Sequence, residues 1–295
     1  MPIFGKTNPT HMKRVILLCL GLAAAVAAFA QSKIVTESIQ SEKLNAEIKY
    51  NVYLPAGYNP EQAYPVIYLL HGLYGDYTNW VETGGMKAVA DELVATGELL
   101  PAVIIMPNAG GPDVNAYQNG YFNVKDWPYE DFFFQELLPA AESKYNCGGS
   151  KGQRAIMGLS MGGGGTIVYA QRHPDLFSSA YGMSAWLDSN RARVQDPAQK
   201  ESKFYLTNES VCDHSALNFM DQADEATIGR LKTVKWFLDC GDDDNLMPLS
   251  VELQQKMRSA GVPCELRVRD GAHTWEYWHT ALYTALPFAS RNFQQ

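Results

Sequence analysis

From about residue 46 onward the chain alternates between short apolar runs and longer stretches of helical period. Ala46–Leu54 (AEIKYNVYL) alternates apolar and polar positions, the period-2 pattern of a half-buried antiparallel strand. Pro65–Leu70 reads PVIYLL, Ala102–Met106 reads AVIIM, Gln153–Leu159 reads QRAIMGL and Val234–Asp239 reads VKWFLD. These runs stop close to Gly, Asn or Ser and predict strands buried on both faces; a further strand is expected near Phe177–Met183. Between them, helices are expected over Met86–Ala95, Tyr129–Tyr145, Ser160–Arg172, Met247–Ala260 and Trp275–Phe288. Strand-helix alternation of this kind gives an α/β domain with a mostly parallel sheet, made mixed by its antiparallel start.

Two regions break the rhythm. Residues 108–128 form a long loop rich in Gly, Asn and aromatic side chains. Residues 185–231 are polar, with short helical patches near Ala216–Gln222 and Glu225–Leu231. Long insertions in a compact domain are commonly functional, so 185–231 is read as a lid over the C-terminal edge of the sheet. Without an internal repeat or a Pro/Ser-rich linker, 31–295 reads as a single domain.

The N-terminus has a different grammar. Lys13 and Arg14 precede an apolar run, Val15–Ala30, that ends in Ala28-Phe29-Ala30. A basic head, an apolar middle and an A-x-A exit make a secretory signal peptide cut near Ala30-Gln31. The run of 16 residues falls short of the roughly 20 needed to span a bilayer. Residues 1–11 lie upstream of this signal, with Met12 as its expected start. The expected location is therefore periplasmic or extracellular, with no membrane attachment after cleavage. Such a compartment permits disulfides, but the spacing of Cys147, Cys212, Cys240 and Cys264 selects no pairing.

Composition narrows the chemistry. The 295 residues carry 24 Lys+Arg against 32 Asp+Glu, a net charge of −8. That balance argues against a nucleic-acid partner, which needs clustered basic side chains. No CxxC, HExxH, GxGxxG or GxxxxGK[ST] is present, so neither a metal nor a nucleotide cofactor is expected.

The positive signal is Gly158-Leu159-Ser160-Met161-Gly162, a G-x-S-x-G placed between the run RAIM and the helix-like GGGTIVYAQR. Strand, sharp turn and helix are the setting this motif requires. Flanking glycines remove side chains that would clash at the elbow, and the N–H groups opening the next helix favour negative charge at the serine. A serine hydroxyl needs a base, and in this architecture the acid and then the histidine follow the serine along the chain. His273, in a loop leaving a strand just before the final helix, suits the base. His173 reads as a helix end, His214 as a surface residue and His279 as structural. The acid belongs in the loop after Val234–Asp239, among Asp239, Asp242, Asp243 and Asp244; position alone does not choose between them. His71-Gly72-Leu73 closes PVIYLL, as the second half of an oxyanion hole would. Its donors would be the backbone N–H groups of Leu73 and Met161, with His71 orienting the loop.

The chain resembles the esterase D superfamily of α/β-hydrolases, and within it the family 1 carbohydrate esterases that include feruloyl and acetyl xylan esterases. The matching segments are LLHGLYGDYTNW (69–80), WPYEDFFFQELLPAAESKY (127–145), RAIMGLSMGGGGTIVYA (154–170), WFLDCGDDDNL (236–246) and GAHTWEYW (271–278). The resemblance implies an α/β-hydrolase fold. Its G-x-x-D-x-L stretch falls on Gly241, Asp244 and Leu246 and so selects Asp244; its G-x-H-x-W falls on His273. It also implies a serine carboxylic-ester hydrolase acting on feruloyl or acetyl groups of plant polysaccharides or oligosaccharides. Tyr74, Trp80, Tyr117, Tyr121 and Trp127 are read as rings that could stack on the substrate. Acyl transfer and thioester hydrolysis occur in the same superfamily, and a carbohydrate-binding protein without catalysis is the alternative outside enzymes.

Overall fold

The computed structural model describes residues 31–110, 120–124, 126–191 and 203–294. The signal peptide expected at 1–30, and Tyr117, lie outside the described residues.

Eight strands form the central sheet: β1 (Lys33–Ser41), β2 (Ala46–Leu54), β3 (Val66–Leu70), β4 (Val103–Pro107), β7 (Arg154–Leu159), β8 (Ser179–Met183), β9 (Lys235–Gly241) and β10 (Cys264–Arg269). A two-residue hairpin, β5 (Asn123–Val124) with β6 (Trp127–Pro128), stands apart. The sheet order is β1-β2-β4-β3-β7-β8-β9-β10. β2 runs antiparallel to both β1 and β4, and every pairing from β4 to β10 is parallel. The expectation of a mixed, mostly parallel sheet therefore holds. β1 was not anticipated: it pairs with β2 only, at the sheet edge, and its KIVTESIQS is largely polar and half-exposed.

The helices are α1 (Asn79–Glu82), α2 (Met86–Thr96), α3 (129–145, with a π-helical turn at Phe133–Leu137), α4 (Ser160–Arg172), α5 (Lys203–Asp213), α6 (Ala216–Gln222), α7 (Glu225–Leu231), α8 (Met247–Ser259) and α9 (Trp275–Asn292). Among the described residues no helix is long and apolar enough to cross a membrane. β3, β4 and β8 are buried along their whole length because helices cover both sheet faces. Alternate residues of each strand feed two cores. Ile67, Leu69, Ile104 and Met157 pack with Val89, Leu93, Leu282 and Leu286 of α2 and α9. Tyr68, Leu70, Ile105 and Ile156 pack with Phe133, Leu137, Ile167 and Leu253 of α3, α4 and α8 on the other face.

This topology brings the chemistry to one edge. Ser160 follows β7, Ser184 follows β8, Asp244 follows β9, His273 follows β10 and Leu73 follows β3. All five leave the carboxyl ends of parallel strands, where open α/β sheets bind their ligands.

Candidate active site

Ser160 sits at the turn from β7 into α4 with φ 53°, a left-handed conformation that costs a non-glycine residue. The turn is tight enough to exclude side chains beside it. A Cβ at Gly162 would lie 2.4 Å from the His71 carbonyl oxygen, and one at Gly158 would lie 2.6 Å from that of Gly162. The G-x-S-x-G spacing is thus a packing requirement, and the serine is lifted to the mouth of a groove. Met161 occupies the first turn of α4, whose N–H groups have no acceptor within the helix.

The Ser160 Oγ lies 2.9 Å from His273 Nε2, and His273 Nδ1 lies 2.8 Å from Asp244 Oδ2. Three residues separated by up to 113 positions in the chain therefore stand in one line. His273 is held in place from both sides. Thr274 caps α9 by accepting the N–H of Tyr277, and the Gly271 N–H donates to Asp242 Oδ1 at 3.1 Å, tying the histidine loop to the acid loop. Asp244 is 4% exposed, and its Oδ1 accepts the Leu246 N–H at 2.9 Å. Burial pushes the Asp244 carboxyl up, but hydrogen bonds from His273, the Leu246 N–H and Ser184 outweigh it and leave the group below its ordinary range.

The other carboxylates of the acid loop lie elsewhere. Asp239 is fully buried and accepts from Tyr181, Tyr277 and Arg267, an ion-pair network that joins β8, β9, β10 and α9. Asp242 and Asp243 are exposed. Of the other described histidines, His173 lies 3.2 Å from Glu130, His214 stacks on Phe122, and His279 bonds the Gly84 carbonyl.

His71 is 2% exposed and works as a structural pin. Its Nε2 accepts the Ala109 N–H at 3.0 Å, so its Nδ1 carries the proton donated to the Gly72 carbonyl at 2.8 Å. Accepting the Ala109 N–H needs the neutral ring, and burial lowers its pKa to about 4 although the bond to the Gly72 carbonyl favours the protonated form. Folding therefore disfavours the protonated ring. The stability is intact above about pH 6.5 and is lost as pH falls toward 4, by on the order of 3 kcal/mol. We expect the melting temperature to drop over that window, and the drop to be shallower in His71→Gln, as thermal denaturation against pH would show. Equal slopes in the two proteins would refute the assignment.

The groove above Ser160 has a volume of about 580 Å³ and is walled by Leu73, Tyr74, Asn79, Trp275 and Trp278 beside Ser160 and His273. Trp80, Tyr121 and Trp127, read from the sequence as substrate-stacking rings, are instead buried at 1%, 0% and 3% exposure. Trp80 supports the wall from behind, edge-on to Trp275, and Trp275 is edge-on to Trp278. Tyr74, 56% exposed at φ 61°, stands at the rim. Trp275 and Trp278 were hidden in the sequence because they fall within the final helix, where aromatics ordinarily read as core. The described part of 185–231 contributes nothing to this wall. Its α6 packs on α4 and α8, with the Gln171 side-chain amide donating to the Ala216 carbonyl. Of the lid expected over 185–231, residues 192–202 lie outside the described residues. Among the described residues no group of three or more His, Cys, Asp or Glu side chains could hold a metal ion, and the four described cysteines are unpaired thiols.

Residues 41–289 match the family model named Esterase, whose description is "Putative esterase". The chain belongs to this esterase family. A solved structure of a ferulic acid esterase is 46% identical, with a TM-score of 0.84 over 90% of this chain and 100% of that one. An endo-1,4-beta-xylanase/feruloyl esterase of Xylanibacter ruminicola is 26% identical over 239 residues, 79% of this chain; the match spans only 28% of that relative's length. An S-formylglutathione hydrolase of Staphylococcus aureus is 21% identical, with a TM-score of 0.70 over 88% of this chain and 99% of that one, a likeness of fold. The architecture is accordingly the α/β-hydrolase fold, and the chain resembles the family 1 carbohydrate esterases within it.

Proposed function

We propose that this esterase is an exported serine carboxylic-ester hydrolase that removes feruloyl or acetyl groups from plant polysaccharides or their oligosaccharides. The observation that carries the reading is the continuous line Ser160 Oγ, His273 Nε2, His273 Nδ1 and Asp244 Oδ2, with contacts of 2.9 and 2.8 Å. The 46% identity to a ferulic acid esterase supports the acyl class. The basic head and apolar run of 13–30 support export.

In this mechanism His273 Nε2 takes the Ser160 proton as Oγ attacks the ester carbonyl. Asp244 keeps the second imidazole proton on Nδ1 and stabilises the imidazolium that forms. The backbone N–H groups of Leu73 and Met161 hold the developing oxyanion. Collapse of the tetrahedral species breaks the bond to the alcohol, which leaves with the proton from His273. Water, deprotonated by the same nitrogen, then releases the acid and regenerates Ser160. The groove suits an acyl or sugar ring because Tyr74, Trp275 and Trp278 stand in its wall, with Asn79 as a polar contact.

Acid release from methyl ferulate, acetylated xylan and p-nitrophenyl acetate, measured side by side with and without added sugar alcohols, tests this. We expect hydrolysis of all three, with kcat/KM highest for the natural acyl group. Absence of acid release from every ester would sink the reading in favour of a binding protein. Preferential transfer to the sugar alcohol would make the protein an acyltransferase.

A further inference from the structure

Asp244 has a neighbour that the proposed mechanism leaves without a task. Ser184 follows β8 and is fully buried, with φ 45°, a backbone conformation that favours glycine. A serine kept there at a conformational cost points to a need for its hydroxyl. The segment carrying it is clamped between the two halves of the site. The Ser184 N–H donates to the Asp239 carbonyl at 2.7 Å, and the Trp186 N–H donates to the Ser160 carbonyl at 2.9 Å. Close packing reinforces this: a Cβ on Gly163 would come within 2.8 Å of the Met183 carbonyl oxygen, and one on Gly164 within 2.2 Å of that of Trp186.

The Ser184 hydroxyl accepts the indole N–H of Trp278 at 3.0 Å. That bond uses an oxygen lone pair and leaves the hydroxyl hydrogen to donate. Asp244 faces the same hydroxyl, which acts together with His273 and the Leu246 N–H to favour its ionised form against the opposing effect of burial. Cys240 also faces Ser184 and Asp244; burial, with Asp244 adding to it, raises its thiol to about 12, so it is a neutral neighbour. The ring of Trp278 stands edge-on to His273, with centroids 4.9 Å apart and planes at 90°. Trp278 therefore touches the base through its ring and reaches the acid's neighbour through its N–H.

We propose that Ser184 is a positioning residue for the acid–base pair: its hydroxyl, oriented by the Trp278 indole N–H, donates to the Asp244 carboxylate and holds it in the rotamer that faces His273. The inference rests on the serine-hydrolase reading above and extends it. Asp244 is aimed by two donors besides histidine, one from its own loop and one from the neighbouring strand. Trp278, which also walls the groove, couples the shape of that wall to the aim of the acid.

Ser184→Gly removes the hydroxyl at a position whose backbone suits glycine, so the fold should not suffer from strain. With an aryl ester we expect kcat to fall about 10- to 100-fold, the scale for a hydrogen bond to a charged group, with KM close to the parent and a melting temperature lowered modestly by the loss of the Trp278 N–H acceptor. In an Asp244→Asn background the same substitution should cost nothing further, because Ser184 acts through the carboxylate. Ser184→Ala serves as a second variant if the glycine form is poorly folded. An unchanged kcat in the folded variants, or a loss that multiplies with that of Asp244→Asn, would overturn the proposal; so would a loss that follows melting temperature across the glycine and alanine forms. Ser160→Ala run alongside separates the two levels. If the parent is active and that variant is dead while Ser184→Gly is unimpaired, only the positioning role fails. If Ser160→Ala retains full turnover, the hydrolase reading itself fails.

Discussion

Ser160→Ala is expected to lower kcat/KM for ester hydrolysis by about 10⁴-fold or more while leaving the melting temperature near that of the parent. The size of the loss follows from the role: without Oγ no acyl-enzyme forms, and what remains is substrate binding and the oxyanion donors. The fold should survive because Oγ has one hydrogen bond at the groove mouth, to His273, and contributes no packing to either core. Steady-state kinetics on p-nitrophenyl acetate, together with a thermal melt, decide the matter. Turnover close to the parent's in a folded variant would leave the line of side chains without a catalytic role.

The second large effect concerns the acid loop, where three aspartates stand in sequence. Asp244→Asn should reduce kcat by roughly 10⁴-fold, because an amide can present N–H to the ring and turn the imidazole to the wrong tautomer. Asp242→Asn should be mild. Its Oδ1 accepts a backbone N–H from Gly271, a task that an amide oxygen performs as well. Asp243 has an exposed side chain, and only its backbone N–H, which an asparagine keeps, bonds the histidine loop. Comparing kcat across the three variants is therefore a test of direction rather than proximity. Should Asp242 or Asp243 prove the sensitive position, the assignment of Asp244 falls while the rest of the mechanism stands.

The contrast within that loop also shows what was legible in the sequence. The apolar runs marked most of the sheet because strands buried on both faces leave a continuous signature: Val66–Leu70, Val103–Pro107 and Ser179–Met183 all fall within or beside the expected runs. Ser160 and His273 could be picked out because each sits at a strand-to-helix junction that local pattern reveals. The choice among four aspartates could not be made locally. It depends on which side chain turns toward a histidine 29 residues away, and only the family resemblance selected one.

Edges and interiors of loops were misread for opposite reasons. Six of the nine residues of β1 are polar, and it has a neighbour on one side only, so it lacks the signature of its buried relatives. Helix α5 lies in the polar 185–231 segment, outside the two helical patches expected there. Trp80, Tyr121 and Trp127 lie in stretches that read as loop yet are buried; Trp80 packs on Trp275, and Tyr121 packs on Tyr129 and Tyr169. Ser184 had no motif around it at all; its interest arises from a backbone angle and an indole 94 residues distant.

The elbow geometry also bears on how this protein would age once unused. Ser160 holds a left-handed backbone conformation that glycine adopts freely and serine does not, at a difference on the order of 1 kcal/mol. Under the proposed mechanism, catalysis is the reason to keep serine there, and stability favours its loss. A gene copy released from selection for turnover therefore has a downhill substitution waiting at its most essential position. The glycines on either side are bound the other way, since any side chain at Gly158 or Gly162 collides with neighbouring backbone. In an inactive descendant the frame of the motif would outlast the serine, and a preserved G-x-G-x-G would mark the place where a nucleophile had been.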